Sequence, residues 1–151
     1  MKNHIVMAEI SSRVELLSVR TLLMGLDNAN IVTSHNLYDV GEEVNPPYRK
    51  DYIVSLMIGV PIIPLIIDGT TKPWRVLDGE KRLALLWAFS ENKFPIEDSP
   101  YMYVGGRMYF DDLSLFRQRR LMSTKIPCYI INPPTSQVVV DDIKNVIKRS
   151  L

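Results

Sequence analysis

The run at residues 53–67, IVSLMIGVPIIPLII, restricts the fold more than any other stretch. It is the most apolar part of the chain, yet it spans only 15 residues and is interrupted by Gly59, Pro61 and Pro64. A membrane helix needs about 20 uninterrupted apolar residues. Proline inside a helix removes a hydrogen bond and clashes with the preceding turn. The run therefore reads as buried core in two pieces, a helix that stops at Gly59 and a strand that begins beyond Pro64. A chain that changes from helix to strand over so few residues belongs to a small mixed α+β domain.

The rest of the sequence repeats this interleaving. Apolar residues at 14, 16–17, 19 and 22–24 follow a helical period, which predicts a helix over 11–24 with Ser11 or Ser12 as cap and Gly25 as stop. Residues 26–47 are polar and loop-like, with a short strand at NIVTS, and 48–59 form the second helix. PLIIDG and WRVLD read as strands joined by a turn, and GEKRLALLWAFSEN as a helix of about three turns. YMYVGGRMYF alternates aromatic residues around Gly105-Gly106 and predicts a β-hairpin. DDLSLFRQRRLMS predicts a helix starting near Asp111 or Asp112, IPCYII a strand, and SQVVVDDIKNVIKR a last helix capped by Thr135 or Ser136.

With 151 residues the chain is of single-domain size, long enough to bury roughly 70% of its unfolded surface without disulfides or a metal. Its net charge of +1 leaves DNA or membrane binding to a local patch rather than to the field of the whole protein. A single cysteine, Cys128, rules out an internal disulfide and a cysteine-rich zinc site, and fits a cytoplasmic location. The N-terminus has no long apolar core and does not read as a signal peptide.

The chemistry concentrates at Asp78-Gly79-Glu80-Lys81-Arg82, where a strand meets a helix. The first N–H groups of a helix lack partners inside it, and the helix dipole adds partial positive charge, so such a junction attracts anions. Gly79 has no side chain to keep a phosphate away. Lys81 and Arg82 stand where cations are disfavoured by about 0.3–1 kcal/mol each, a placement that a bound anion would explain. Asp78 and Glu80 are the candidate catalytic carboxylates, able to bind magnesium or orient a water. A capped, solvated helix start satisfies the same pattern. No P-loop and no Gly-x-Gly-x-x-Gly motif is present.

Asp-Gly-Glu-Lys-Arg-Leu-Ala-Leu-Leu resembles the Asp/Asn-Gly-x-x-Arg signature of the ParB/sulfiredoxin-like superfamily. Its nearest likeness is to the Asp-Gly-Gln-Gln-Arg domain at the N-terminus of GmrSD-type restriction enzymes. Asn45-Pro46-Pro47-Tyr48-Arg49-Lys50-Asp51-Tyr52 is similar to that family's Asn-Pro-Pro-Tyr-Gln-Arg-x-Tyr segment. Gly59-Val60-Pro61-Ile62-Ile63-Pro64, Lys93-Phe94, Phe110-Asp111-Asp112-Leu113 and Ile126-Pro127 follow in the family's order. The resemblance covers residues 45–147, within one domain over 1–151 whose first 44 residues are a helix and loop. It implies a ParB-like fold, a short mixed sheet flanked by helices. It also implies a nucleotide phosphate site at Gly79, Lys81 and Arg82, joined by Tyr48, Arg49 and Lys50, for ATP or another NTP with Mg²⁺. The family's two glutamines are Glu80 and Lys81 here, and its Gln-Arg is Arg49-Lys50, departures that bear on turnover more than on binding. Its C-terminal His-Asn-His nuclease domain has no counterpart, since His4 and His35 stand in no such context.

Three functions follow as expectations: NTP hydrolysis or phosphoryl transfer linked to DNA modification or restriction, a nucleotide-gated module binding DNA or protein, and a regulator within a defence or anti-defence system. A nuclease or other subunit and a homo-oligomer are compatible partners, and no membrane is expected. Arg117, Arg119, Arg120 and Lys125 form a basic cluster able to contact DNA phosphates or simply to be solvated. The aromatic residues Tyr101, Tyr103, Tyr109 and Phe110 are expected to pack rather than stack bases. Cys128, in an apolar strand, reads as an inert buried thiol. No metal site is expected from protein ligands alone.

Overall fold

The computed structural model describes residues 10–37, 39 and 46–150; Asn45 of the resemblance and His4 lie outside these residues. Five strands form one sheet in the order β1–β5–β3–β4–β2: β1 Ser12–Ser18, β2 Ile31–Val32, β3 Leu65–Asp68, β4 Trp74–Asp78 and β5 Lys125–Ile131. β1 is antiparallel to β5, β5 parallel to β3, β3 antiparallel to β4, and β4 parallel to β2. The helices are α1 Val19–Asp27, α2 Pro46–Ile58, α3 Glu80–Ser90, α4 Leu115–Ser123 and α5 Gln137–Ser150. The α+β class and the mixed sheet are as expected.

The apolar run divides as its glycine and prolines require. Ile53, Val54, Leu56 and Met57 of α2 and Leu65 and Ile67 of β3 are buried, whereas Ile58, Val60 and Ile63 around the break are exposed. The main core joins those residues to Leu22 and Leu23 of α1, Leu83, Leu85 and Phe89 of α3, Leu121 of α4, and Ile126, Cys128 and Ile130 of β5. Burial at 126, 128 and 130 places the core on one face of β5, because successive side chains alternate. Ile131, on the other face, and Val140 of α5 are buried outside that cluster.

Three expected elements differ. The helix predicted over 11–24 is a strand followed by a helix. Seven residues of β1 pair with β5, and Ser18 rather than Ser11 or Ser12 is the cap, accepting from the Thr21 N–H at 3.0 Å. The helix then runs through Gly25 to Asp27. Arg13-Val14-Glu15-Leu16 has a strand's period of two, and the apolar positions beyond it supplied the helical reading. The hairpin predicted at 101–110 does not form. Asp98 accepts the N–H groups of Val104, Gly105 and Gly106 at 2.7, 2.9 and 3.0 Å, donors that a hairpin's turn would have used otherwise. Tyr101 and Tyr103 are exposed, while Phe110 packs edge-on against Phe89 at 5.9 Å. Asp111 and Asp112 lie in a 3₁₀ turn, and α4 begins after Ser114, whose hydroxyl accepts from the Arg117 N–H at 3.2 Å.

One buried carboxylate locks the β3–β4 connection. Asp68 is fully buried and accepts from the Thr70 N–H at 2.9 Å, the Thr70 hydroxyl at 2.5 Å and Arg75 Nη2 at 2.8 Å. Burial alone raises its pKa, but the bonds from Thr70 and Arg75 together outweigh it and hold the carboxyl below its ordinary range.

Candidate functional site

The structure divides the predicted nucleotide-site residues between two places. At the first, β4 delivers Asp78, Gly79 turns the chain and α3 begins at Glu80. Gly79 has φ +99°, and a Cβ there would lie 2.2 Å from Leu65 Cδ2 and 3.0 Å from Arg82 Nη2. Its lack of a side chain thus serves the packing of the junction itself.

Arg82 folds back across this glycine. Its guanidinium donates to Asp78 Oδ2 at 3.2 Å, to the Pro64 carbonyl at 3.4 Å and to the Ile63 carbonyl. Only 13% of its side chain is exposed. The cation at the unfavourable end of a helix is therefore neutralised from within the chain: Asp78 supplies the charge, and two carbonyls of the proline-broken segment supply the remaining acceptors. Arg82 holds three segments together, the 63–64 stretch, the end of β4 and the start of α3. Glu80 accepts from the His35 N–H at 2.7 Å, and Lys81 is exposed. Tyr48 stacks on Tyr52 with centroids 6.4 Å apart. Burial pushes the Tyr52 hydroxyl up to about 12, although the charge of Arg82 pulls the other way.

Arg49 and Lys50, on the same helix as Tyr48, face a different cavity of about 300 Å³. Arg49, Lys50, Lys93 and Arg107 line it with Phe94 and Tyr109, against a single lining carboxylate, Glu97. Local geometry brings these distant residues together. Asn92 takes φ +58° beyond α3, with its N–H on the Phe89 carbonyl at 3.0 Å and the Lys93 N–H on the Ala88 carbonyl at 2.9 Å. These bonds form a Schellman cap, which projects Lys93 and Phe94 off the helix end. Two 2.8 Å bonds between Ile96 and Met108 then tie this segment to the one carrying Arg107 and Tyr109.

Inside the cavity the Arg49 guanidinium lies 5.5 Å from the Phe94 ring, and its Nε is shielded from solvent without a hydrogen-bond partner. Lys50 Nζ is 3.3 Å from Glu97 Oε2, and Arg107 lies over the Tyr109 ring at 5.9 Å. The resemblance sets Arg49 and Lys50 beside Gly79 and Arg82, whereas they line this separate cavity, and sequence reasoning missed its Lys93, Glu97, Arg107 and Tyr109. The Glu91-Asn92-Lys93-Phe94-Pro95 stretch was the visible signal, because Asn at a helix end followed by a cation marks a cap.

A groove of about 800 Å³ lies elsewhere, between α1 and the Lys72-Pro73-Trp74 turn, and contains none of the predicted site residues. Of the basic cluster, Arg119, Arg120 and Lys125 are exposed, while Arg117 donates to the Tyr103 carbonyl at 2.7 Å. Cys128 is fully buried, and burial pushes its thiol up to about 11. Among the described residues, no group of three or more His, Cys, Asp and Glu side chains is placed to hold a metal ion, and no helix is long and apolar enough to cross a membrane. No family model, curated protein or solved structure matches the chain.

Proposed function

We propose that this chain is a ParB/sulfiredoxin-like nucleotide-binding module that holds the phosphates of a nucleotide between α2 and the two segments joined at Ile96 and Met108. It acts by binding rather than by turnover, gating contact with DNA or a protein partner. The observation that carries this reading is the convergence of Arg49, Lys50, Lys93 and Arg107 on one cavity of about 300 Å³, a volume at the lower end of ligand sites. Like charges gathered this way repel one another, and a polyphosphate relieves that repulsion through charge-assisted bonds. The guanidinium of Arg49 is steadied by Phe94, and its unpartnered Nε is a donor whose cost an anion oxygen offsets. Tyr109 offers a ring beside the cations for stacking.

The junction at Gly79 supports a positioning role in this reading. Arg82 and Asp78 satisfy each other, and Glu80 is engaged by the His35 backbone. NTP hydrolysis or phosphoryl transfer is the second reading, favoured by one observation: both carboxylates flank Gly79 at the start of one helix. In that case Mg²⁺ arriving with the nucleotide would have to draw Asp78 away from Arg82.

Calorimetric titration with ATP, GTP, CTP, UTP and tripolyphosphate, each with and without Mg²⁺, tests the proposal. Binding by the wild type that is lost in Arg49→Ala/Arg107→Ala, with no phosphate release, is the expected result. Absence of binding by every one of these probes refutes it. Phosphate release abolished by Asp78→Ala with binding retained would establish the second reading instead.

A further inference from the structure

The outer edge of the sheet carries a self-complementary strand, and we infer that two copies of this chain pair there, β1 against β1, into one continuous sheet. This inference is independent of the nucleotide reading. β1 pairs with β5 over seven residues without a register shift and is the longer edge strand of the sheet as described. Edges of this length are normally blunted by proline, lysine, a bulge or a covering element. The sequence Ser12-Arg13-Val14-Glu15-Leu16-Leu17-Ser18 contains neither proline nor lysine. Val14 and Leu16 are 59% and 63% exposed, beside the half-exposed Tyr129 of β5.

Parity and charge together favour the register centred on Val14. The Asn132 N–H donates to the Ser11 carbonyl at 2.8 Å, and the Val19 N–H to the Thr124 carbonyl at 2.9 Å. Antiparallel ladders alternate bonded and non-bonded pairs, so the odd residues of β1 bond to β5 and the backbone groups of Ser12, Val14 and Leu16 point outward. A two-fold axis through paired Val14 residues aligns these outward groups as bonded pairs. It also sets Arg13 of each copy across from Glu15 of the other. Arg13 and Glu15 are about 40% exposed at the side chain and already lie within one ion-pair distance along the strand. Centring on residue 13 or on residue 15 would instead oppose two arginines or two glutamates, which is destabilising. Charge complementarity therefore names a second copy of this chain as the occupant and closes the assembly as a symmetric dimer.

Sedimentation equilibrium across the micromolar range is the test, with thermal melts as a check of folding. The wild type is expected to dimerise. Val14→Pro, which removes an outward N–H without touching the β5 ladder, should give a folded monomer. Glu15→Arg turns two symmetric attractions into repulsions and should weaken the dimer roughly tenfold, and Arg13→Glu/Glu15→Arg should restore it. A wild type that remains monomeric, its edge left to a different protein or to the chain's own residues 1–9, overturns the inference. So does a dimer of unchanged affinity in Val14→Pro.

Discussion

Replacing Gly79 by alanine separates two explanations of the Asp78-Gly79 junction, close approach of a phosphate and close approach of the protein to itself. The structure gives the magnitude of the second. A Cβ at this position would stand 2.2 Å from Leu65 Cδ2, a side chain only 1% exposed and held in the core, and 3.0 Å from Arg82 Nη2, which can shift. A left-handed conformation costs an L residue about 1–2 kcal/mol, and one excess methyl in a packed core adds about 1–3 kcal/mol. The expected loss is about 3 kcal/mol, which for a domain of this size lowers the melting temperature by roughly 6–12 °C while leaving it folded. Urea denaturation without any nucleotide measures it. Leu65→Ala removes the contacted methyl, so Leu65→Ala/Gly79→Ala should be more stable than the sum of the two single changes by about 1 kcal/mol or more. A Gly79→Ala protein within about 0.5 kcal/mol of wild type, or strict additivity in the double variant, refutes the packing explanation and returns Gly79 to the role of a ligand contact.

Other outcomes follow from named contacts. Asp68 has a depressed pKa, so its stabilisation is complete above the unfolded value of about 3.9 and is lost as the pH falls through the folded value. Asp68→Asn should cost about 2 kcal/mol at neutral pH, less than the ~3–5 kcal/mol of a wholly buried pair because Arg75 is partly in water. The gap from wild type should narrow as the pH falls below the unfolded value in urea denaturation, and a gap that stays equal down to the lowest pH at which the protein folds contradicts this. Asp98→Ala should accelerate hydrogen exchange at Val104, Gly105 and Gly106, whose N–H groups it leaves without acceptors, and hardly elsewhere. Cys128, buried and pushed up to about 11, should react with thiol reagents at pH 8 only after denaturation, whereas rapid labelling of the folded protein would contradict its burial.

Where the sequence was legible, the cause was local. Pro61 and Pro64 can only break a helix, Asp78-Gly79 can only turn the chain before an apolar helical period, and the strand at 125–131 has too few residues for a buried helix. Those signals gave α2, β3, β4, α3 and β5 close to their observed positions. The apolar positions of residues 11–18 fit both periods, and only pairing with β5, more than a hundred residues away, makes them a strand. The hairpin predicted at 101–110 fails for the same kind of reason: one carboxylate, Asp98, takes the N–H groups of Val104, Gly105 and Gly106.

The candidate site divides along the same line. By itself the sequence determined the α+β class, the strand–glycine–helix junction and the identity of the cations near it, because spacing and residue type act within a few positions. The tertiary structure decided which acceptor each cation meets. Arg82 turns inward to Asp78 and two carbonyls contributed by the proline-broken segment, whereas Arg49 and Lys50 meet Lys93 and Arg107 across a cavity assembled from three separated segments. Electrostatic energy depends on distances through space. A linear sequence fixes those distances only within a helical turn or a strand, so the neutralised arginine and the cationic cavity emerge only when the sheet and its helices are packed together.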